Sequence, residues 1–270
     1  GLPITFEVET DWRQYLPETY AVKLWSQARQ WYARRLGTRR YPQELTICNS
    51  GADFGVTIPR PDLVLREGLE RESPEWRMQL YGAALYWHLA TTPGKDQRVT
   101  DPNILRGKDV LEVACMRGGG ARFLAEVAGP QRYVAVDATE DHVEMCRRRH
   151  PPLEGLGFER ADLCSLRGRF PASSFDVVLC VEPGHLLQDV QGFIDGVSHV
   201  LRPGGRLLLC DALPSDGLQS LLNCAEASDL TFDVCDDMSM AVVVAGYSSI
   251  PGGHLYLRLI ASKEPTASTE

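Results

Sequence analysis

The chain of 270 residues has no apolar run long enough to cross a membrane, which would take about 20 residues. Near its start, charged residues such as Glu7, Asp11 and Arg13 interrupt the apolar stretches, and no secretory signal is visible. We therefore expect a cytoplasmic protein with no membrane partner.

Long clusters of basic residues are also missing. The formal net charge is −8, and no run of Lys and Arg exceeds the three residues Arg147 to Arg149. A protein that binds a nucleic-acid backbone needs such clusters to contact the phosphates. We predict no nucleic-acid partner and a small-molecule substrate, and the sequence leaves a homo-oligomer open.

The eight cysteines include no C-x-x-C pair and no Cys/His cluster at the spacing of zinc ligands. Cys180 and Cys210 stand inside apolar runs, where a thiol behaves as a small hydrophobic group. We predict reduced, buried cysteines and no zinc site.

From about residue 108, short apolar runs alternate with longer mixed segments, which is typical of parallel strands joined by crossover helices. Strands are predicted at 109–114, 133–137, 156–160, 175–181, 206–210, 230–234 and 255–262. Helices are predicted at 121–128, 142–150, 190–201 and 218–227. The expected fold class is α/β, with a doubly wound, Rossmann-like sheet of seven strands.

The first hundred residues have a different pattern. Apolar residues at helical spacing predict helices at 20–36 and 76–89, and two β-rich segments at 45–48 and 54–58 predict a hairpin. We expect an N-terminal helical and hairpin appendage at 1–103, which covers a ligand-binding domain at 104–263. The polar residues 264–270 are expected to form a disordered tail.

Three acidic positions lie at or near the ends of successive predicted strands. Glu112 precedes a turn that ends in three glycines, Gly118 to Gly120, and a glycine-rich turn lets a ligand approach the backbone closely. Asp137 ends the second strand, where a carboxylate can accept hydrogen bonds from the two hydroxyls of a ribose. Asp162 follows the third strand, where it can bind an adenine amino group. Together the three predict one adenosine site, although Asp162 alone is also typical of a helix cap.

Over residues 104–262 the chain resembles the class I S-adenosylmethionine-dependent methyltransferases. Five segments carry the resemblance: the Glu112 to Gly120 turn, Asp137, Ala161-Asp162-Leu163, 175–180, and Leu201-Arg202-Pro203-Gly204-Gly205. The segment Val181-Glu182-Pro183-Gly184-His185 is similar to that of small-molecule enzymes related to phthiotriol and sterol methyltransferases. A dinucleotide dehydrogenase is the alternative for the fold, but its usual G-x-G-x-x-G does not fit this turn.

The resemblance implies S-adenosylmethionine as the cofactor. In the family's acid-x-Gly-x-Gly-x-Gly pattern, Ala114 and Met116 replace the first two glycines, and methionine narrows the cleft. The cofactor-binding residues that it implies are Glu112, Ala114, Met116, Gly118, Asp137, Ala138, Asp162, Leu163, Val181 and Tyr86. Tyr86 belongs to an aromatic group with Tyr81, Trp87 and His88, which is a lid candidate or, for each residue alone, part of the core.

His185 lies just past the fourth predicted strand, at the edge where ligands of open α/β sheets bind. We predict that it is a general base, with a packed or capping histidine as the alternative. Glu182 is expected to orient His185 or to bind a polar group of the substrate, or else to cap the next helix. No metal site is predicted, because only Glu182 and Asp211 are placed to bind a divalent ion after the fourth and fifth strands.

The predicted activity is methyl transfer to an O or C atom of a small, largely apolar natural product. One alternative is a methyltransferase-like cyclase that uses the fold and the cofactor structurally. Another is a catalytically silent partner subunit. The replaced glycines, above all Met116, favour the cyclase.

Overall fold

The computed structural model describes residues 47, 51–52, 54, 57–65, 71, 73–97, 99–183, 189–245, 250 and 254–265. The helix predicted at 20–36 and the last five residues lie outside these ranges. So does much of the predicted hairpin, and its described residues are not in strands. In the part described, no helix combines the length and apolar character that a membrane span requires.

A seven-stranded sheet forms the centre of the molecule, as predicted. Its strands are β1 (Asp109–Val113), β2 (Arg132–Asp137), β3 (Leu156–Arg160), β4 (Phe175–Val181), β5 (Leu201–Pro214), β6 (Leu230–Asp237) and β7 (His254–Lys263). Their order is β3-β2-β1-β4-β5-β7-β6. β7 runs antiparallel to both neighbours, and the other pairs are parallel. Parallel strands therefore end at one shared carboxyl edge.

The helices of the described chain are α1 (Pro74–Thr91), α2 (Gly119–Val127), α3 (Glu140–Arg149), α4 (Leu166–Arg169), α5 (Val190–Val200), α6 (Ser215–Glu226) and α7 (Ser239–Ala245). Short 3₁₀ turns lie at Pro61–Leu63 and Leu163–Ser165. Helix α1 begins where its sequence signals a start: the Ser73 hydroxyl accepts the Trp76 N–H at 3.1 Å, and Pro74 stands in the first turn.

The start of β5 was predicted wrongly. We expected a turn at 202–205 and a strand from 206, but β5 already begins at Leu201. Phe175 pairs with Leu201 and Val177 pairs with Arg206, so the intervening residues form an irregularity within the strand. Gly204 has a φ of 77° there, which glycine adopts without steric cost. The proline and glycines thus distort the strand instead of preceding it.

Helix α1 of the predicted appendage packs into the sheet domain. Its buried residues Ala83, Leu85 and Leu89 belong to the same apolar cluster as the residues on one face of the sheet. The Trp87 ring meets the Phe123 ring of α2 edge to face, with centroids 6.3 Å apart. The cluster on the other face is covered by α5 and α6.

The seven cysteines that the structure describes are free. Four are buried as predicted: Cys115, Cys146, Cys180 and Cys210. Cys164, Cys224 and Cys235 are partly exposed, so the prediction of burial was wrong for them.

Candidate active site

The turn after β1 has a glycine-like backbone at all three glycine positions of the pattern. Ala114, Met116 and Gly118 have φ values of 59°, 49° and 72°. Left-handed backbone costs a residue with a Cβ roughly 1–2 kcal/mol, so the turn retains its shape at a cost. Gly118 itself has no room for a side chain, since a Cβ there would lie 2.6 Å from the Phe158 ring.

Asp137 joins this turn to the end of β2. Its Oδ2 accepts the Met116 N–H at 2.9 Å. Its Oδ1 accepts the Thr139 N–H at 2.9 Å and lies 3.1 Å from His142 Nδ1. Burial would raise the pKa of Asp137, but the hydrogen bonds, the one from His142 above all, outweigh burial and lower it. The carboxylate is therefore held ionised beside the turn.

The third acidic position lies further along the same edge. Asp162 is exposed, and its Oδ1 accepts the Cys164 N–H at 2.9 Å, so it caps the short 3₁₀ turn. Val113 pairs with Val136 and Asp137 pairs with Arg160, which puts the turn, Asp137 and the β3 end side by side. Of the remaining predicted cofactor residues, Ala138 is exposed, whereas Leu163 and Val181 are buried.

Glu112 and Tyr86 contact each other inside the protein. The Tyr86 hydroxyl donates to Glu112 Oε1 at 2.9 Å, and the Tyr133 hydroxyl donates to Oε2 at 2.6 Å. Burial raises the pKa of Glu112 to about 7, despite the two hydroxyl groups, which lower it. A Cβ on Gly120 would lie 2.1 Å from the Tyr86 ring, so the ring packs directly on the first turn of α2. The pair fastens α1 to the sheet beneath the glycine-rich turn.

Glu182 follows β4 with a φ of 52°. Its N–H donates to the Cys210 carbonyl at 2.8 Å, and its Oε1 accepts the hydroxyl of the buried Tyr256 at 2.6 Å. The side chain is thereby tethered at the carboxyl edge. His185, which we predicted to be its catalytic neighbour, lies outside the described residues.

A fully buried arginine completes this edge. The Arg258 guanidinium donates to the carbonyls of Thr92 and Gly94 at 2.7 and 2.6 Å and pairs with Asp236.

Within 99–183 and the other described ranges, no three His, Cys, Asp or Glu side chains form a group that could hold a metal ion. Asp211 Oδ1 accepts the N–H of Ala212 at 2.7 Å.

Residues 110–205 match the family model of a methyltransferase domain. This part of the chain is similar in sequence to methyltransferase domains. Over 110 residues it is 44% identical to a fatty-acid O-methyltransferase of Mycolicibacterium smegmatis, which covers 41% of this chain and 39% of the relative. Over 112 residues it is 45% identical to phthiotriol/phenolphthiotriol dimycocerosates methyltransferase 1 of Mycobacterium ulcerans. This alignment covers 42% of this chain and 40% of the relative. The chain thus spans about two fifths of the length of these curated relatives.

Solved structures agree with this domain in fold. One such structure is the geranyl diphosphate C-methyltransferase of Streptomyces coelicolor, solved with Mg²⁺, geranyl-S-thiolodiphosphate and S-adenosyl-L-homocysteine. Its TM-score is 0.54 at 14% identity, and the match covers 80% of this chain and 87% of that chain. The [4+2]-cyclase SpnF has a TM-score of 0.54 at 17% identity. The match covers 70% of this chain and 84% of SpnF. The α/β, Rossmann-like fold class is confirmed.

Sequence reasoning missed four polar residues with buried or site contacts: Tyr133, His142, Tyr256 and Arg258. Tyr133, Tyr256 and Arg258 lie in strands, where the alternation of side chains gave no sign of a polar partner. For His142, its position in the helix just after Asp137 was an available signal, since it lies five residues further on.

Proposed function

We propose that the protein binds S-adenosylmethionine at the carboxyl edge of β1, β2 and β3 and is a methyltransferase. The observation that carries this proposal is the hydrogen bond from the Met116 N–H to Asp137, which joins a left-handed turn to an ionised acid. A ribose needs such a carboxylate next to a turn that ligands can approach closely. Asp137 would hold the ribose, Asp162 and Leu163 the adenine, and the 114–118 turn the amino-acid end.

When bound, the cofactor supplies a methyl group on a sulfonium, so the S–CH₃ bond breaks and its electron pair stays on sulfur while the acceptor forms the new bond to carbon. This chain has to align the acceptor and exclude water. Helix α1, fastened by Tyr86 and Glu112, closes one side of the site. In this proposal, residues 1–103 act as the lid over the domain at 104–263.

The acceptor that we propose is a lipid-like small molecule, methylated on oxygen or carbon. The names of the two relatives refer to fatty acids and to a phthiotriol, and both support an oxygen atom on a long apolar body. His185 would take the proton of a hydroxyl acceptor, and Glu182 would orient His185 or the substrate. Natural-product biosynthesis and a cytoplasmic location belong to the same proposal.

A cyclase that uses the fold and cofactor structurally is the second candidate. Ala114 and Met116 favour it, because they depart from the glycine pattern. The φ values of both residues preserve the glycine-like backbone that a cofactor requires in either case. Methyl transfer is the stronger proposal, because the relatives at 44% and 45% identity are named as methyltransferases. The likeness to SpnF concerns the fold alone and does not separate the two.

Calorimetry with S-adenosylhomocysteine tests the cofactor site. Asp137→Asn should weaken binding at least tenfold, because the loss of a charged hydrogen-bond acceptor costs roughly 1.5–3 kcal/mol. Glu144→Gln is the control, because Glu144 is an exposed carboxylate on α3, and it should bind as the wild type does. A wild type that binds NAD and not S-adenosylhomocysteine would overturn the proposal.

Methyl-labelled S-adenosylmethionine tests the reaction. Dodecanoate and 1-dodecanol are suitable acceptors, because they present a carboxylate or a hydroxyl on the same apolar chain. A labelled ester or ether supports an O-methyltransferase. Cofactor binding without a labelled product from these or from polyketide and terpenoid acceptors would favour the cyclase, and no cofactor binding would favour a silent partner subunit.

A further inference from the structure

His88 is a buried imidazole with one unused nitrogen. It is 4% exposed and stacks on Phe54, with ring centroids 3.8 Å apart. Its Nδ1 lies 3.2 Å from Thr92 Oγ1. Its Nε2 is the one buried side-chain nitrogen or oxygen in the described part of the chain that has no hydrogen-bond partner. A buried polar atom that lacks a partner has lost its hydration without compensation.

This imidazole lies close to the carboxyl edge of the sheet. Arg258 donates to the Thr92 carbonyl at 2.7 Å and so fixes the end of α1. In the sheet, Val181 pairs with Cys210, and Cys210 pairs with Arg258, so the arginine is level with the last residue of β4. Ligands of open α/β sheets bind beyond this edge. The end of α1 that carries His88 is therefore attached beside the edge at which the proposed acceptor would bind.

The charge state of His88 defines what it can do there. Burial, and secondly the positive charge of Arg258, lower the pKa of His88 to about 3. The ring is therefore neutral near pH 7. A neutral imidazole can donate or accept a hydrogen bond at Nε2, according to its tautomer, but a pKa this low makes it a poor general base. His88 is thus suited to position a ligand and not to remove its proton.

A ligand oxygen suits this nitrogen better than a trapped water does. A buried water needs two to four polar partners, whereas a single ligand oxygen needs only Nε2, the one buried side-chain nitrogen or oxygen of the described residues that lacks a partner. Phe54 covers one face of the ring. An apolar molecule with a single oxygen would satisfy Nε2 and place its body against apolar side chains.

We propose that His88 Nε2 hydrogen-bonds the acceptor oxygen of an apolar, lipid-like substrate and thereby positions that oxygen for methylation. This inference rests on the proposed function and gives the acceptor a second contact besides the predicted base His185. His88 is a positioning residue in this proposal, held by Thr92 and, through the Thr92 backbone, by Arg258.

Three variants of the full chain test the inference. His88→Phe keeps a ring and removes the hydrogen bond, whereas His88→Gln retains an amide group near the position of Nε2. His199→Phe is the matched control, since His199 belongs to α5 and its backbone carbonyl accepts the Ser173 N–H at the amino end of β4. Calorimetry measures binding of dodecanoate and 1-dodecanol to the S-adenosylhomocysteine complex, and nitrogen NMR follows Nε2 of labelled His88.

We expect His88→Phe to bind the probes at least tenfold more weakly, His88→Gln to stay within about threefold of the wild type, and His199→Phe to match it. Affinity for S-adenosylhomocysteine should not change in any variant. One of the probes should shift the Nε2 resonance. Equal probe binding by wild type and His88→Phe, or no probe binding by the wild type, would overturn the inference.

The same samples separate this inference from the proposed function. If probe binding depends on His88 but no labelled methyl product forms, the ligand site is supported and the methyltransferase proposal is contradicted. Methyl transfer that is undiminished in His88→Phe would retain the enzyme and remove the role of His88.

Discussion

His142 Nδ1 lies 3.1 Å from Asp137 Oδ1, so the imidazole occupies a carboxylate oxygen that the proposed ribose also needs. A carboxylate has about four acceptor positions, and three of them on Asp137 are used by Met116, Thr139 and His142. His142 contacts Asp137 through a partly exposed side chain, whereas Met116 and Thr139 donate from their backbone N–H groups. It is the partner that a ribose can displace.

We predict that affinity for S-adenosylhomocysteine rises with pH. The hydrogen bond to Asp137 raises the pKa of His142 above 6.5, although burial and Arg117 oppose this shift, and Asp141 adds to it. Below that pKa, His142 is a cation paired with Asp137, and the ribose has to displace it. As the pH rises through the pKa, the cation is lost and the competition weakens. Calorimetry from pH 5.5 to 8.5 measures the effect.

Two controls accompany this pH series. Binding below the raised pKa should release protons, which calorimetry in buffers of different ionisation enthalpy can count. His142→Asn should bind more evenly across the series, because asparagine does not titrate. An unchanged pH dependence in His142→Asn would show that another group is responsible.

A second prediction concerns Glu112 and stability. Its folded-state pKa, about 7, lies above the ordinary value of 4.5, so the folded protein holds this proton more tightly than the unfolded chain does. The stabilisation is complete below pH 4.5 and is lost as the pH rises through 7. One pKa unit corresponds to about 1.4 kcal/mol, so the free energy of unfolding should fall by up to about 3 kcal/mol over this pH range.

Urea unfolding of the wild type and Glu112→Gln measures this contribution. Glutamine keeps the shape and both tyrosine contacts but does not titrate. The free energy of unfolding of the wild type should therefore fall relative to Glu112→Gln between pH 4.5 and 7.5. Glu144→Gln, on the exposed side of α3, controls for the loss of one carboxylate. Parallel curves for wild type and Glu112→Gln would contradict the prediction.

The sequence predicted the sheet well because each strand is a local signal. The bounds of β3 and β4 agree with prediction at both ends. β4 is a mostly apolar run between polar residues, whereas the mixed segment of β3 follows Pro151, Pro152 and Gly155. The proximity of Asp137 to the turn after β1 could also be predicted from the sequence, because neighbouring parallel strands end at the same edge of the sheet.

The polar contacts could not be predicted in the same way. Tyr256 is 74 residues from Glu182 along the chain, and Arg258 is 166 residues from Thr92. These pairs depend on the position of β7 between β5 and β6, which no local pattern specifies. Glu112 was interpreted as a cofactor residue, but its partners Tyr86 and Tyr133 become visible only when α1 is packed on the sheet.

The third prediction concerns Met116 in the left-handed turn. At a φ of 49°, a β-branched side chain is a strong conformational outlier. Met116→Val should therefore destabilise the protein by about 2 kcal/mol and weaken S-adenosylhomocysteine binding. Met116→Gly should stay within about 1 kcal/mol of the wild type, because relief of strain is offset by the greater freedom of glycine in the unfolded chain.

Met116→Leu is the control, since leucine is similar in size and has no branch at Cβ. Urea unfolding compares the three variants. If valine is tolerated as well as leucine, the turn does not have the left-handed conformation, and the structural basis of the cofactor site would be lost.

The last prediction concerns His185, with Glu182 as its predicted neighbour. Glu182 is tethered at the carboxyl edge by Tyr256 and Cys210, so a base three residues further on would act close to the proposed cofactor. His185→Ala should lower methyl transfer to a hydroxyl acceptor by roughly 10² to 10⁴ and leave S-adenosylhomocysteine affinity unchanged, as expected for proton removal in the transition state. At saturating S-adenosylmethionine, wild-type activity should rise with pH through a value near 6.5, the ordinary pKa of histidine, and this rise should be absent in the variant. Dodecanoate provides an internal comparison, because a carboxylate has no proton to lose and its methylation should depend much less on His185. Equal losses with dodecanol and dodecanoate would assign His185 to packing or substrate binding, and an unchanged rate with both would leave catalysis to alignment of the acceptor alone.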